Sequence, residues 1–267
     1  SSFITTEVNG ITYDAPAKDI QGIQRPNPAG TTPDMGAFES DKGVDPNYAG
    51  PKWYVDGPAN VPYANGGPGA PFVTIQEALN ASADNDTIIV ANGTYTESIQ
   101  LNGKKIAIIG EHRDSTIISA GVNGYGIYLN QAGKPNTLIR NFTITNSSAE
   151  NGNAGLYVSD NSPNCKFENL NIIGNNGDGV YIAGFSSGKF SNCIIADNGL
   201  NGLIIWSESD AELVNATIVN NGQYGINIQG DGLPKNITVS NSILYGNTNG
   251  SFISYGDAND VVSVNYT

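Results

Sequence analysis

Between Thr137 and Thr267 one pattern occurs five times: apolar, variable, Asn, small or apolar, variable, Ile or Leu. It appears as Ile139-Arg-Asn-Phe-Thr-Ile, Phe167-Glu-Asn-Leu-Asn-Ile, Phe190-Ser-Asn-Cys-Ile-Ile, Leu213-Val-Asn-Ala-Thr-Ile and Val239-Ser-Asn-Ser-Ile-Leu. The central asparagines Asn141, Asn169, Asn192, Asn215 and Asn241 are spaced by 28, 23, 23 and 26 residues. A glycine follows each, at Gly155, Gly179, Gly202, Gly225 and Gly250. A period of this length with short alternating runs is the signature of a solenoid, in which each repeat buries its apolar face only by stacking on its neighbours.

Alternation assigns the columns. The residue two before each asparagine (Ile139, Phe167, Phe190, Leu213, Val239) points inward, as do those one and three after it, Phe142/Ile144 to Ser242/Leu244. A third inward column follows the glycine, from Leu156/Val158 to Ser251/Ile253. Three inward columns per repeat predict three sheets around one core, an all-β parallel β-helix. The asparagines mark corners, because Asn tolerates left-handed backbone. They are expected to stack as an amide ladder, with Asn141 and Asn215 buried.

Composition narrows the partners. The net charge is −13, with only 12 Lys and Arg in 267 residues, which argues against nucleic acid. No run of apolar residues is long enough to span a membrane. The chain starts at Ser1-Ser2, which reads as a mature or excised segment. Cys165 and Cys193 sit at repeat positions about 16 Å of strand apart, too far for a disulfide, and are expected to be buried free thiols.

Residues 1–50 lie outside the repeat and form an N-terminal arm, with strand-like runs at Phe3–Thr6 and Gly10–Tyr13. In it, Asp19-Ile-Gln-Gly-Ile-Gln-Arg-Pro26 and Asp34-Met-Gly-Ala-Phe-Glu39 resemble the closing motif of β-helix domains in large secreted bacterial proteins. Residues 51–267 form the β-helix. Thr74 and Glu77 make a capping box, which predicts a short helix over 74–82 at its N-terminal end. The block from Trp53-Tyr-Val-Asp56 through Asp86-Thr-Ile-Ile-Val-Ala-Asn-Gly-Thr-Tyr-Thr-Glu97 resembles the start of the pectate-lyase-like, right-handed parallel β-helix family. That resemblance implies a secreted, extracellular or cell-surface protein; it does not fix an activity.

Two outward features carry candidate chemistry. Tyr128, Tyr157, Tyr181 and Phe252, with Trp206 close by, form an aromatic column suited to sugar rings or a partner chain. Lys166 and Lys189 share a second column with Glu212, and Arg140 and Glu168 stand in the next. A polysaccharide lyase needs a Lys or Arg base and a means of neutralising uronate, often Ca²⁺, so Arg140, Lys166, Glu168 and Lys189 are the catalytic candidates. The bland alternative is a salt-bridged surface. Calcium, the one cofactor considered, has Asp84, Asp86 and Asp178 as candidate ligands. The single histidine, His112, reads as a turn residue. Of several Asn-x-Ser/Thr sequons, a loop site such as Asn249 could take a glycan.

The C-terminal run Val261-Val-Ser-Val264 alternates like a strand and carries no capping feature. With Phe3, Ile4, Ile11 and Tyr13 in the arm, it suggests strand addition from one copy to the next and a head-to-tail extracellular filament. The leading expectation is therefore a secreted structural or surface protein. The alternative is a carbohydrate-active β-helix that binds or cleaves an acidic polysaccharide.

Overall fold

The computed structural model describes residues 3–8, 11–16, 18, 48–57, 64–121, 124–130, 133–149, 154–230, 234–255 and 260–265. Parallel strands wind into a solenoid with three faces. The first face stacks Lys52–Val55, Thr87–Val90, Ala107–Gly110, Leu138–Thr145, Cys165–Ile173, Ser187–Ser191, Asp210–Val214, Asn236–Ser240 and Val261–Asn265 in that order. Leu138–Thr145 and Cys165–Ile173 run on through their corner asparagines and supply the second face too, which joins both faces into one 14-stranded sheet. The third face is a separate 7-stranded sheet from Ile99–Gln100 to Gly250–Ser254. The rise per coil is the strand spacing, about 4.8 Å.

The inward columns are those alternation predicts, except after Gly250 in the last coil. Ile139, Phe167, Phe190 and Leu213 are fully buried, as are Phe142, Ile144, Leu156, Val158, Val180 and Ile182. Phe167 and Phe190 stack with centroids 4.7 Å apart. Cys165 and Cys193 are buried and free. Burial pushes their thiols up, to about 12 and about 11.

The asparagines require a correction. All five corner asparagines have left-handed backbone, φ 50–63°, so the conformational reason for Asn holds. They are not buried: Asn141 and Asn169 are half-buried, and Asn192, Asn215 and Asn241 are exposed. Their amides link along the surface, Asn169 donating to Asn141 (2.9 Å) and Asn215 to Asn192 (3.3 Å). The buried ladder lies six residues further on, at Asn175, Asn198, Asn221 and Asn247. Each amide donates to the next Oδ1 at 2.8–3.0 Å. Each Nδ2 also donates to a backbone carbonyl on the preceding coil, those of Ile144, Ile172, Ile195 and Ile218. This ladder explains the repeating glycine. A Cβ on Gly155, Gly179, Gly202 or Gly225 would lie 2.6–2.9 Å from the Nδ2 of Asn175, Asn198, Asn221 or Asn247.

The helix α1 spans Ile75–Ala81, with the Thr74/Glu77 capping box in place and Ile75, Ala78 and Leu79 buried. Glu97 adds a second cap, accepting from the N–H groups of Ile75 (2.8 Å) and Gln76 (3.0 Å). In the arm, Phe3–Val8 and Ile11–Pro16 pair antiparallel with each other. The closing-type motifs at 19–26 and 34–39 lie outside the described residues.

Candidate functional site

The first face carries a groove of about 480 Å³. Two outward columns line it. One holds Asn136, Asn164, Ser187, Asp210 and Asn236; the other holds Lys166, Lys189, Glu212 and Thr238. The inward residues between them are Cys165, Gly188 and Ala211, and a Cβ on Gly188 would sit 2.9 Å from Phe167. Parallel register sets Lys166 against Lys189 and Lys189 against Glu212. Like charges directly opposite each other oppose folding. Lys189 is relieved by Glu212 at 2.6 Å. Arg140 is engaged by Glu168, Nε to Oε2 2.8 Å. Asp210 accepts from the backbone N–H (2.8 Å) and side-chain amide (3.0 Å) of Asn236. The four catalytic candidates thus lie on one face, but Arg140 pairs with Glu168 and Lys189 with Glu212 along the axis. Engaging Arg140 with a substrate would break its pair with Glu168.

The tyrosines do form a column on the third face, with register Tyr128 to Tyr157 to Tyr181. Tyr125 joins it, stacked on Tyr157 at 5.0 Å with planes 8° apart. Tyr128 stacks on Tyr157 at 5.2 Å, and Tyr181 meets Tyr157 edge-on at 4.9 Å. Tyr128 donates to Asp160 at 2.8 Å. Burial raises the phenols of Tyr157 and Tyr181. The ring faces are spent on one another, so this column offers edges and hydroxyls rather than a flat platform for a sugar. Phe252 is a correction: Ile226 pairs with Phe252, placing it in register with the inward column of the last coil, one residue away from the expected alignment. At the bare end of the solenoid it is nonetheless 41% exposed, and Trp206 is 43% exposed.

The right-handed β-helix region family matches residues 83–265. The chain belongs to this family. Among curated proteins none matches. Of solved structures, pectate lyase Pel9A superposes with a TM-score of 0.55 at 17% identity, covering 79% of this chain and 57% of that one. Pectin methylesterase PemA from Erwinia chrysanthemi gives 0.52 at 15% identity, covering 71% and 64%. The chain spans less than two thirds of the length of these structures. At such identities the likeness is one of fold.

The aspartates considered for calcium are each held by protein donors. Asp84 pairs with Lys134 at 2.8 Å and accepts from the Lys105 N–H, and the Lys134 bond draws its carboxyl down. Asp86 accepts from Trp53 Nε1 and the Ala83 N–H, both at 2.8 Å. Asp178 accepts from the N–H and side chain of Asn201, and burial pushes its carboxyl up. Among the described residues no three His, Cys, Asp or Glu side chains converge on one point. His112 lies exposed in its turn, accepting from the Asp114 N–H.

For assembly, Val261, Val262 and Val264 are 51%, 39% and 52% exposed on the last strand. Among the described residues the strands carrying Phe3, Ile4, Ile11 and Tyr13 pair only with each other. Among the described residues no helix is long and apolar enough to cross a membrane.

Sequence reasoning found the lysines and missed the polar column beside them. Asn136, Asn164, Ser187, Asp210 and Asn236 each stand three residues before an inward residue, an outward position by parity. The signal was present; attention to charge alone passed over it. Phe185, 58% exposed, was missed because it sits in a turn and follows no strand parity.

Proposed function

We propose that this β-helix is a carbohydrate-binding protein whose first-face groove takes an acidic polysaccharide lying along the solenoid axis. The observation that carries the reading is Lys166 directly opposite Lys189, in a chain with only 12 basic residues and a net charge of −13. Glu212 offsets only the Lys189 charge, so an anionic guest beside Lys166 supplies the second negative charge that the pair of ammonium groups on adjacent rungs calls for. The flanking Asn164, Ser187, Asn236 and Thr238 supply donors and acceptors for hydroxyl groups. The repeat of about 4.8 Å presents equivalent groups at each rung, as a polymer requires.

The reading is binding rather than cleavage. Lys189 and Arg140 are committed to Glu212 and Glu168, and the two carboxylates of the groove, Asp210 and Glu212, are taken up by Asn236 and Lys189. Pectic polymers are natural probes, since two fold neighbours are by name a pectate lyase and a pectin methylesterase. Calorimetric titration with polygalacturonate should give saturable binding that falls by about tenfold or more in Lys166→Ala/Lys189→Ala. A neutral glucan should not bind at the groove. Equal affinity of the double variant, or equal affinity for the glucan, would overturn the reading.

A further inference from the structure

The turn between the third and first faces borders the groove, since Ser187 and Asp210, both in the groove wall, follow Phe185 and Trp206 by two and four residues. This turn has the same backbone in three successive coils. Each contains two consecutive left-handed residues: Asp160 and Asn161 (φ 56° and 55°), Gly184 and Phe185 (64° and 60°), Ser207 and Glu208 (51° and 48°). A serine ladder anchors it underneath, the Ser162 N–H donating to Ser186 Oγ at 3.0 Å and the Ser186 N–H to Ser209 Oγ at 3.2 Å. All three serines are buried.

Asn161 fits its left-handed position with little strain, and Gly184 with none. Phe185 does not: a bulky residue at positive φ is a genuine outlier. Packing does not compensate, because Phe185 is 58% exposed. Strain held at an exposed aromatic is the kind that accompanies a ligand site. One coil on, Trp206 also stands out, 43% exposed, above the small, buried Ala183. In the same turns Glu208 is in register with Phe185, and Asp160, one coil back, accepts from Tyr128; these turn segments carry no basic side chain.

The geometry points to Phe185 and Trp206 as an aromatic rim of the groove that stacks on an uncharged sugar unit, with Glu208 accepting its hydroxyl hydrogens. This deepens the proposed function and rests on it. The lysine pair selects an acidic unit; the rim, lined by carboxylates, repels one and selects a neutral or esterified unit. The ligand class that satisfies both is a polysaccharide of mixed charge, with acidic and uncharged units on one chain. Aromatic rings bind sugars by their faces, and these two rings, unlike those of the tyrosine column, do not stack on another ring among the described residues.

The test uses the full chain with partially methyl-esterified and fully de-esterified polygalacturonate. Wild-type protein should bind the partially esterified polymer about tenfold more tightly. Phe185→Ala and Trp206→Ala should each remove that preference while keeping the affinity for the de-esterified polymer. Trp53 is 6% exposed, and the chain has two tryptophans, so ligand protection of fluorescence from acrylamide reports Trp206. Both variants remove exposed side chains and should keep the wild-type melting temperature. Binding of both polymers that depends on Lys166 and Lys189, with no preference or with a preference that survives in both variants, overturns the rim and leaves the groove reading standing. Absence of binding to either polymer overturns both.

Discussion

At the scale of single residues, the two asparagine sets of this solenoid do different work. A corner asparagine such as Asn192 is exposed and serves its left-handed backbone. Asn198 is 2% exposed, and its side chain makes four ladder hydrogen bonds, to Asn175, Asn221 and Ile172. Asn198→Ala strands buried polar groups on both neighbouring coils and is expected to cost about 2–4 kcal/mol. Asn192→Gly keeps the backbone region and should stay within about 0.5 kcal/mol. Urea unfolding of the two variants measures both. Repetition in the sequence pointed to the first set because it is flanked by apolar residues on a strand parity. The second set recurs with the same spacing six residues later, but in Asn- and Gly-rich turns where no flanking apolar alternation marks it as buried.

Asp178 is the other residue with a clear energetic signature. Burial raises its carboxyl, partly offset by the two bonds from Asn201. A raised folded-state value means the protonated form is favoured by folding. Its contribution is fully present below the unfolded carboxylate range, near pH 4, and is lost as pH rises through the folded value. At neutral pH the ionised, buried carboxylate is therefore a cost. Asp178→Asn keeps an oxygen acceptor for Asn201 and removes the charge. The variant should melt higher than the wild type near pH 7, with the gap closing as pH falls toward about 4.

At the scale of elements, the glycine repeat and the buried ladder are two halves of one contact. Gly179 lies where a Cβ would sit 2.7 Å from Asn198 Nδ2, Gly202 O and the Ile195 side chain. Gly179→Ala should destabilise by about 1–3 kcal/mol. In Gly179→Ala/Asn198→Ala the clash is partly relieved, so the double variant should lose less than the sum of the two single ones. Strict additivity in a double-mutant cycle would contradict the coupling. The elements themselves were legible: α1 from its capping box, the strands from their alternation, the coil from its period. The last coil was misaligned by one residue at Phe252, because Gly250 pairs with Tyr224 and it is Ser251 that stacks on Gly225.

For the molecule as a whole, the fold followed from pattern because a solenoid is nearly one-dimensional and each repeat contacts only its neighbours. The candidate site was half legible. Strand parity aligned Lys166 with Lys189 and Arg140 with Glu168, as the register bears out. The groove itself depends on side chains contributed by five coils, and the rim on two turns, which no local pattern reveals. The aromatic column looked like a sugar platform in sequence; mutual stacking, visible only in three dimensions, uses up its faces.

The most direct test of this account is a crystal structure of the protein with an acidic oligogalacturonate bound. It should place the oligosaccharide in the first-face groove, running parallel to the solenoid axis, with a uronate carboxylate between the ammonium groups of Lys166 and Lys189. An oligosaccharide lying instead across the tyrosine column of the third face, with Lys166 and Lys189 untouched, would contradict it.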